Sequence, residues 1–383
     1  MRGPITAAGA NGGDLSVAAR APAGIGDPVA LIETPALVVD RPTFLRNLQR
    51  MAAATQGVRL RPHAKTHRSA DVALAQIALG AVGVCCQTVG EAEALVAGGV
   101  PDVLVTNEVV SPGKLARLCG LARVARVGVL VDHPAAVDDL GRAARAAGAE
   151  VGVLVEIDVG QNRCGAIPGE PAAMLAERVV ATEGLRFDGL QAYHGAAQHR
   201  RTPQERSQAI EAAALSVRRT QAALATRGLV ASVIGGAGTG TFALEAASGL
   251  WTELQPGSYV FMDADYAANT WAPESVRFDQ ALHLVATVIS APTPERAVLD
   301  AGLKAVATDS GVPLVAGRDG WQVDRLSDEH ATCRTPAQAR PGERVHLIPG
   351  HIDPTVNLHD WLVVVEAGHV VALWPVTARG ASA

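Results

Sequence analysis

A lysine flanked by two histidines stands in the run Arg61-Pro62-His63-Ala64-Lys65-Thr66-His67. Most lysines are solvated charges. One held in the mouth of a pocket is different, because burial penalises the ammonium and frees an amine that can form a Schiff base with a carbonyl. Two glycine-rich stretches lie far downstream: Gly235-Gly236-Ala237-Gly238-Thr239-Gly240-Thr241 and Gln255-Pro256-Gly257-Ser258-Tyr259. Backbone N–H groups in such loops close around an anion, and Thr or Ser hydroxyls add donors. An amine on one side of a pocket and a phosphate cup on the other suit pyridoxal phosphate (PLP), which carries an aldehyde at one end and a phosphate at the other. Ordinary turn chemistry is the competing account of the glycines, and a surface ion pair that of the lysine.

Further polar residues stand where the same pocket would be. Arg163, in Glu156-Ile157-Asp158-Val159-Gly160-Gln161-Asn162-Arg163, can donate to the cofactor's phenolate oxygen, or pair with Asp158. Tyr193 can pack against the pyridine ring, and Gln87 would face the pocket. Near the C-terminus, His351 and Asp353 form a His-x-Asp pair. On an extended segment both would point the same way and can share one cation. A polar turn is the alternative, as it is for Asp328-Glu329-His330.

These residues need a scaffold that brings them to one place. From residue 58, Val-rich runs alternate with helical runs: 58–65, 83–88, 102–107, 126–132, 151–160, 187–195, 231–236 and 252–257. Continuous apolar runs suit strands buried on both faces of a parallel sheet. Eight β/α alternations over some 200 residues predict a (β/α)8 barrel, with a doubly wound open sheet as the alternative. A barrel puts its active site at the C-terminal strand ends and its phosphate site after strands seven and eight, where the two glycine-rich loops fall. After about residue 275 the runs become strand-like without long helices between them. The division expected is a leader (1–27), a barrel (28–272) and a C-terminal β domain (273–383). PALVVD (35–40) precedes the barrel and can pair into that β domain.

The 383-residue chain is 48% hydrophobic and 19% charged, with a net charge of -5 and only 3% aromatic residues. It has no basic block, which argues against nucleic-acid binding. Five cysteines with no C-x-x-C pair argue against a disulfide framework or zinc ribbon and for a reducing, cytoplasmic setting. No apolar run is long enough to span a membrane, and the leader lacks the apolar stretch of a signal peptide.

From about residue 30 onward the chain resembles the D-threonine aldolase and D-serine dehydratase family of alanine-racemase-like PLP enzymes. The matching pieces include RPHAKTHRS (61–69), EIDVGQNRCG (156–165), GLQAYHGAAQH (189–199), GGAGTGT (235–241), LQPGSYVFMDADY (254–266), SDEH (327–330) and PGHIDPTVN (349–357). The resemblance implies a PLP barrel followed by a β domain, in a homodimer. It makes Lys65 the lysine of the internal aldimine, and puts Arg163 at the phenolate oxygen and Tyr193 at the pyridine ring. Gly238, Thr239, Gly257, Ser258 and Tyr259 become the phosphate cup, and His351 and Asp353 the ligands of a divalent metal. A carboxylate ligand favours Mn²⁺ or Mg²⁺ over Zn²⁺ or Co²⁺. The expected reaction is cleavage of a β-hydroxy D-amino acid to glycine and an aldehyde, with His199 as base. A dehydratase acting on D-serine or 3-hydroxyaspartate and a non-catalytic PLP-binding protein are the alternatives.

Overall fold

The computed structural model describes residues 20–383; the first 19 residues of the expected leader lie outside the described residues. A first strand, β1 (Ala36–Asp40), is followed by eight strands that run parallel: β2 (Arg59–Leu60), β3 (Val84–Cys86), β4 (Asp102–Glu108), β5 (Arg126–Val131), β6 (Val151–Glu156), β7 (Leu185–Gln191), β8 (Val233–Gly236) and β9 (Glu253–Leu254). Their order is β2-β9-β8-β7-β6-β5-β4-β3. The open ends meet, because Val82 N–H donates to Leu60 O at 2.9 Å and Cys85 N–H to Pro62 O at 2.8 Å. A bridge between His63 and Cys85 completes the seam. The ring is the expected (β/α)8 barrel.

The pleat explains why these strands read as continuous apolar runs. Cys85, Leu104, Leu130 and Leu154 point inward and pack as one interior layer. Their neighbours Val103, Val105, Val129, Val131, Val153 and Val155 point outward into the core beneath the helices. Toward the N-terminal strand ends, Arg61 donates to Glu253 at 2.8 Å and Asp102 at 2.6 Å, a buried ion cluster that fills the barrel. The helices follow sequence rules. In Pro134–Ala147, the buried residues Ala136, Val137, Leu140, Gly141 and Ala144 form one face. The His133 ring accepts from Ala135 N–H, and Gly148 ends the helix at φ 59°. Burying Val137 and Leu140 contributes about 1.5–3 kcal/mol each.

The second sheet contains β10 (Leu282–Thr293), β11 (Arg296–Leu299), β12 (Leu314–Ala316), β13 (Gln322–Leu326), β14 (Ala331–Arg334), β15 (Arg344–Ile348), β16 (Trp361–Glu366) and β17 (His369–Pro375). β1 is threaded into its middle. It pairs antiparallel with β10, Val38 opposite His283, and parallel with β16, Val38 opposite Val363. The PALVVD segment thus belongs to the C-terminal sheet by pairing.

Candidate active site

A cavity of about 500 Å³ opens at the C-terminal ends of the barrel strands. Gln191, at the end of β7, and Gln255, just after β9, form its floor. Their buried amides exchange two hydrogen bonds, at 2.8 and 3.1 Å. Gly235 makes room for that pair, since a Cβ there would lie 2.6 Å from Gln255 Nε2 and 2.7 Å from Gln191 Oε1.

Lys65 stands on one wall, though not at a strand end as expected. The strand expected over 58–65 stops at Leu60, and Pro62 has no N–H with which to extend a ladder. Lys65 instead sits in the 3-10 turn Ala64–Thr66, where the His63 ring accepts its backbone N–H at 3.3 Å. Its Nζ donates to Asp353 Oδ2. Burial pulls the Lys65 ammonium down, but the Asp353 carboxylate together with Tyr193 and Glu91 raises it above its ordinary value. Asp353 is held at about 2, because the positive charges of Lys65 and His351 overcome the opposing effect of burial. His63 is pushed down to about 3 by burial and the nearby Lys65 charge.

The two glycine-rich loops form the opposite wall through Ala237, Gly238, Thr239, Gly257 and Ser258. Thr239 Oγ1 accepts from Tyr259 N–H at 3.1 Å and so ties one loop to the other. At Gly257 a Cβ would lie 2.6 Å from Thr66 Oγ1 and 3.0 Å from His63 O, so glycine lets this loop close against the Lys65 turn. Tyr259 differs from expectation. Its side chain turns into the core, its hydroxyl accepts from Gln76 at 3.1 Å, and its ring packs 5.5 Å from that of Phe278.

Between these walls lie Gln87, Arg163 and Tyr193. The Gln87 amide donates to Thr106 O at 3.2 Å. Arg163 lies over the Tyr193 ring, 5.8 Å from its centroid, and pairs with Glu156 at 3.7 Å instead of Asp158. The Asp158 side chain caps its own loop, accepting from Gly160 and Asn162 N–H. Glu156 is pushed up to about 8 by burial and the neighbouring Glu108.

The His-x-Asp segment is not extended. His351 is the N-cap of a short helix, Ile352–Val356, and Asp353 stands in its first turn. The two residues still fit a divalent ion. Asp353 Oδ1 is buried without a hydrogen-bond partner, and His351 Nδ1 is held by Asp309 at 2.6 Å, which leaves Nε2 for a ligand. Thr66 Oγ1, buried and unpartnered beside Gly257, similarly fits a phosphate. His199 lies on the cavity wall, its Nδ1 bound to Asp265. Among the described residues, Glu108, Asp132 and Cys164 also gather with ligand atoms within 4.8 Å of one another. The Asp328-Glu329-His330 cluster stays apart from the cavity lining, with Glu329 paired to Lys304 at 2.7 Å.

The chain matches the alanine racemase N-terminal domain family over residues 39–265 and the serine dehydratase domain family over residues 281–365. It is 45% identical to a D-threonine aldolase from Arthrobacter sp, over 94% of this chain and 96% of that one. The chain belongs to the D-threonine aldolase family. A 3-hydroxy-D-aspartate aldolase from Paracoccus denitrificans (strain Pd 1222) is 44% identical over 91% of this chain and 92% of that one. The D-threo-3-hydroxyaspartate dehydratase of Delftia sp. (strain HT23) is more distant, 32% identical over 74% of this chain and 75% of that one. The crystal structure of D-threonine aldolase from Filomicrobium marinum superposes with a TM-score of 0.92 at 49% identity, covering 94% of this chain and 99% of that one.

Sequence reasoning in this aldolase family member missed Gln191, Gln255, Asp263, Asp265 and Asp309. The glutamines carry no local signal, and only barrel closure puts them face to face. Asp263 and Asp265 lie in the motif MDADY, where the close pair of carboxylates is the one available signal.

Proposed function

We propose that this chain is a PLP- and divalent-metal-dependent aldolase that cleaves a D-3-hydroxy amino acid, of the D-threonine or 3-hydroxy-D-aspartate type, to glycine and an aldehyde. The observation that carries the reading is the meeting of Lys65 with Asp353, 288 residues apart, at one cavity mouth. Lys65 would hold the cofactor, its amine facing the cofactor's aldehyde. Gly238, Thr239, Gly257 and Ser258 receive the phosphate, with the Tyr259 backbone fixing the loop. Arg163, Tyr193 and Gln87 bind and orient the ring system. His351 and Asp353 hold the metal, of the Mn²⁺ or Mg²⁺ class, through one nitrogen and one carboxylate. PLP, when bound, supplies a sink for the electron pair left at Cα, and the metal supplies Lewis acidity toward the β-hydroxyl.

His199 accepts the β-hydroxyl proton at Nε2. The Cα–Cβ bond breaks, its electrons stay with Cα, and Cβ becomes the aldehyde carbon. Cα then takes one proton as His199 gives up the one it accepted, so none is gained or lost, and glycine leaves. The Gln191–Gln255 floor and the closely packed loops keep water from beneath the reacting atoms.

The same reading has the enzyme working as a homodimer in the cytoplasm. Five free cysteines, four of them buried, fit a reducing compartment. No helix of the described residues is long and apolar enough to cross a membrane. Incubation with D-threonine, PLP and Mn²⁺ should yield glycine and acetaldehyde in equal amounts. Ammonia and 2-oxobutanoate in their place would transfer the chain to the dehydratase side of the family.

A further inference from the structure

We propose that Asp265 is a positioning residue for the cleavage step: its carboxylate fixes the tautomer and orientation of His199 so that Nε2 faces the cavity as a proton acceptor. The proposal rests on the reading of His199 as the base. His199 Nδ1 meets Asp265 Oδ2. An ionised carboxylate only accepts hydrogen bonds, so Nδ1 must carry the hydrogen and Nε2 keeps its lone pair. Asp265 is held in that form. Burial works to raise it, but the hydrogen bond and charge of Arg201, with the hydrogen bond from His199, keep it below the usual carboxylate range.

The surroundings restrain Asp265 from several directions. Its Oδ1 accepts from Arg201 Nη2. Arg201 is itself anchored on Asp265 O at 2.7 Å and Asn269 Oδ1 at 2.8 Å. Asn269 donates to the backbone oxygen of Gln198, next to His199, at 2.9 Å. The ring of contacts therefore closes on the histidine it orients. On its other face, the His199 ring packs 5.5 Å from that of Tyr266.

The same short segment also places the His351–Asp353 loop. Ala264 N–H donates to Pro349 O at 3.0 Å and Asp265 N–H to Gly350 O at 3.2 Å. Asp263 Oδ2 accepts from Ile352 N–H at 3.1 Å. Residues 263–266 thus hold His199 and the His351–Asp353 pair in a fixed relation. A base and a Lewis acid that act on one hydroxyl need that relation, because misplacement of about 1 Å can cost 100-fold in rate.

The test compares Asp265→Asn, His199→Gln and the double variant in the cofactor-loaded enzyme. An amide at 265 can donate to Nδ1 and turn the lone pair away from the cavity. Asp265→Asn should lower kcat by about 10²–10⁴-fold, leave KM within a few-fold and leave the cofactor absorbance unchanged. In the His199→Gln background the second substitution should cost nothing further. Asp265→Glu keeps the charge and should recover much of the parent's kcat, which preserves the comparison if the amide variant does not accumulate. Full activity in His199→Gln overturns the base reading and this proposal with it. A damaged His199→Gln beside a parent-like Asp265→Asn, or additive losses in the double variant, overturns the role of Asp265 while the base reading stands.

Discussion

Replacing Gln255 by Leu should destabilise the protein far more than replacing Gln191 and Gln255 together. The two side chains are 3% and 4% exposed as residues, and each is the other's partner in both amide hydrogen bonds. The single change leaves a buried carbonyl and a buried NH₂ on Gln191 without partners, at about 1–3 kcal/mol for each orphaned group. The expected loss is about 2–6 kcal/mol. Gln191→Leu strands the same two groups on Gln255 and should cost the same. In the double variant no polar group is stranded, and leucine nearly conserves the volume, so its loss should fall to about 1 kcal/mol. The singles and the double thus differ by a coupling of at least about 3 kcal/mol. Urea unfolding followed by tryptophan fluorescence and circular dichroism measures it. Losses that add, or a double variant weaker than either single, would refute the claim that the cavity floor is a self-satisfying amide pair.

Lys65→Ala should abolish activity and the absorbance of lysine-bound cofactor, and borohydride reduction should no longer attach PLP to the chain; a retained reducible adduct would assign the role to another lysine. Asp353→Ala should remove the response of activity to chelators and Mn²⁺ while PLP stays bound; equal metal content in parent and variant, by elemental analysis, would refute Asp353 as a ligand. Burial holds His67 neutral, at about 4 against an ordinary 6.5. The unfolded chain therefore binds a proton that the folded one does not, and stability falls as pH drops from 6.5 toward 4, by about 2 kcal/mol at pH 5. His67→Gln should remove that share of the acid sensitivity, which denaturation at pH 7 and pH 5 would reveal; an unchanged difference between the two pH values refutes it.

The parts legible from sequence are those set by local pattern. β4, β5 and β6 were readable because each buries both faces and so shows an unbroken apolar run. The glycine-rich segments were readable as loops, because glycine runs break strands and helices, but turn chemistry alone would give the same composition. β2 was overestimated, since Pro62 and the turn around Lys65 end the ladder after Leu60. The segment around His351 was misread as extended, although a proline two residues beyond Ile352 is compatible with a first helical turn. Tyr259 could not be aimed from sequence, because only packing against Phe278 and Gln76 decides which way its ring turns. Nor does any local pattern announce that Asp353 touches Lys65 or that Asp265 touches His199. Those pairings are products of closure, and the sequence holds them only as separate polar residues.

The place of β1 sets a timetable for synthesis. It leaves the ribosome long before its neighbours, β10 and β16. From Asp40 to Trp361 the ribosome must add about 320 residues, on the order of 15–65 s at about 5–20 residues per second. Until β10 emerges, about 240 residues after Asp40, an apolar strand waits with both edges open, and its β16 edge stays open to the end of the interval, the kind of segment that holdase chaperones shield. The barrel can begin to gather behind it, but Asp353 emerges only near the end. A nascent or prematurely terminated chain can therefore display Lys65 without the residues proposed to act beside it, and the complete centre arises only when the last sheet closes around the first strand.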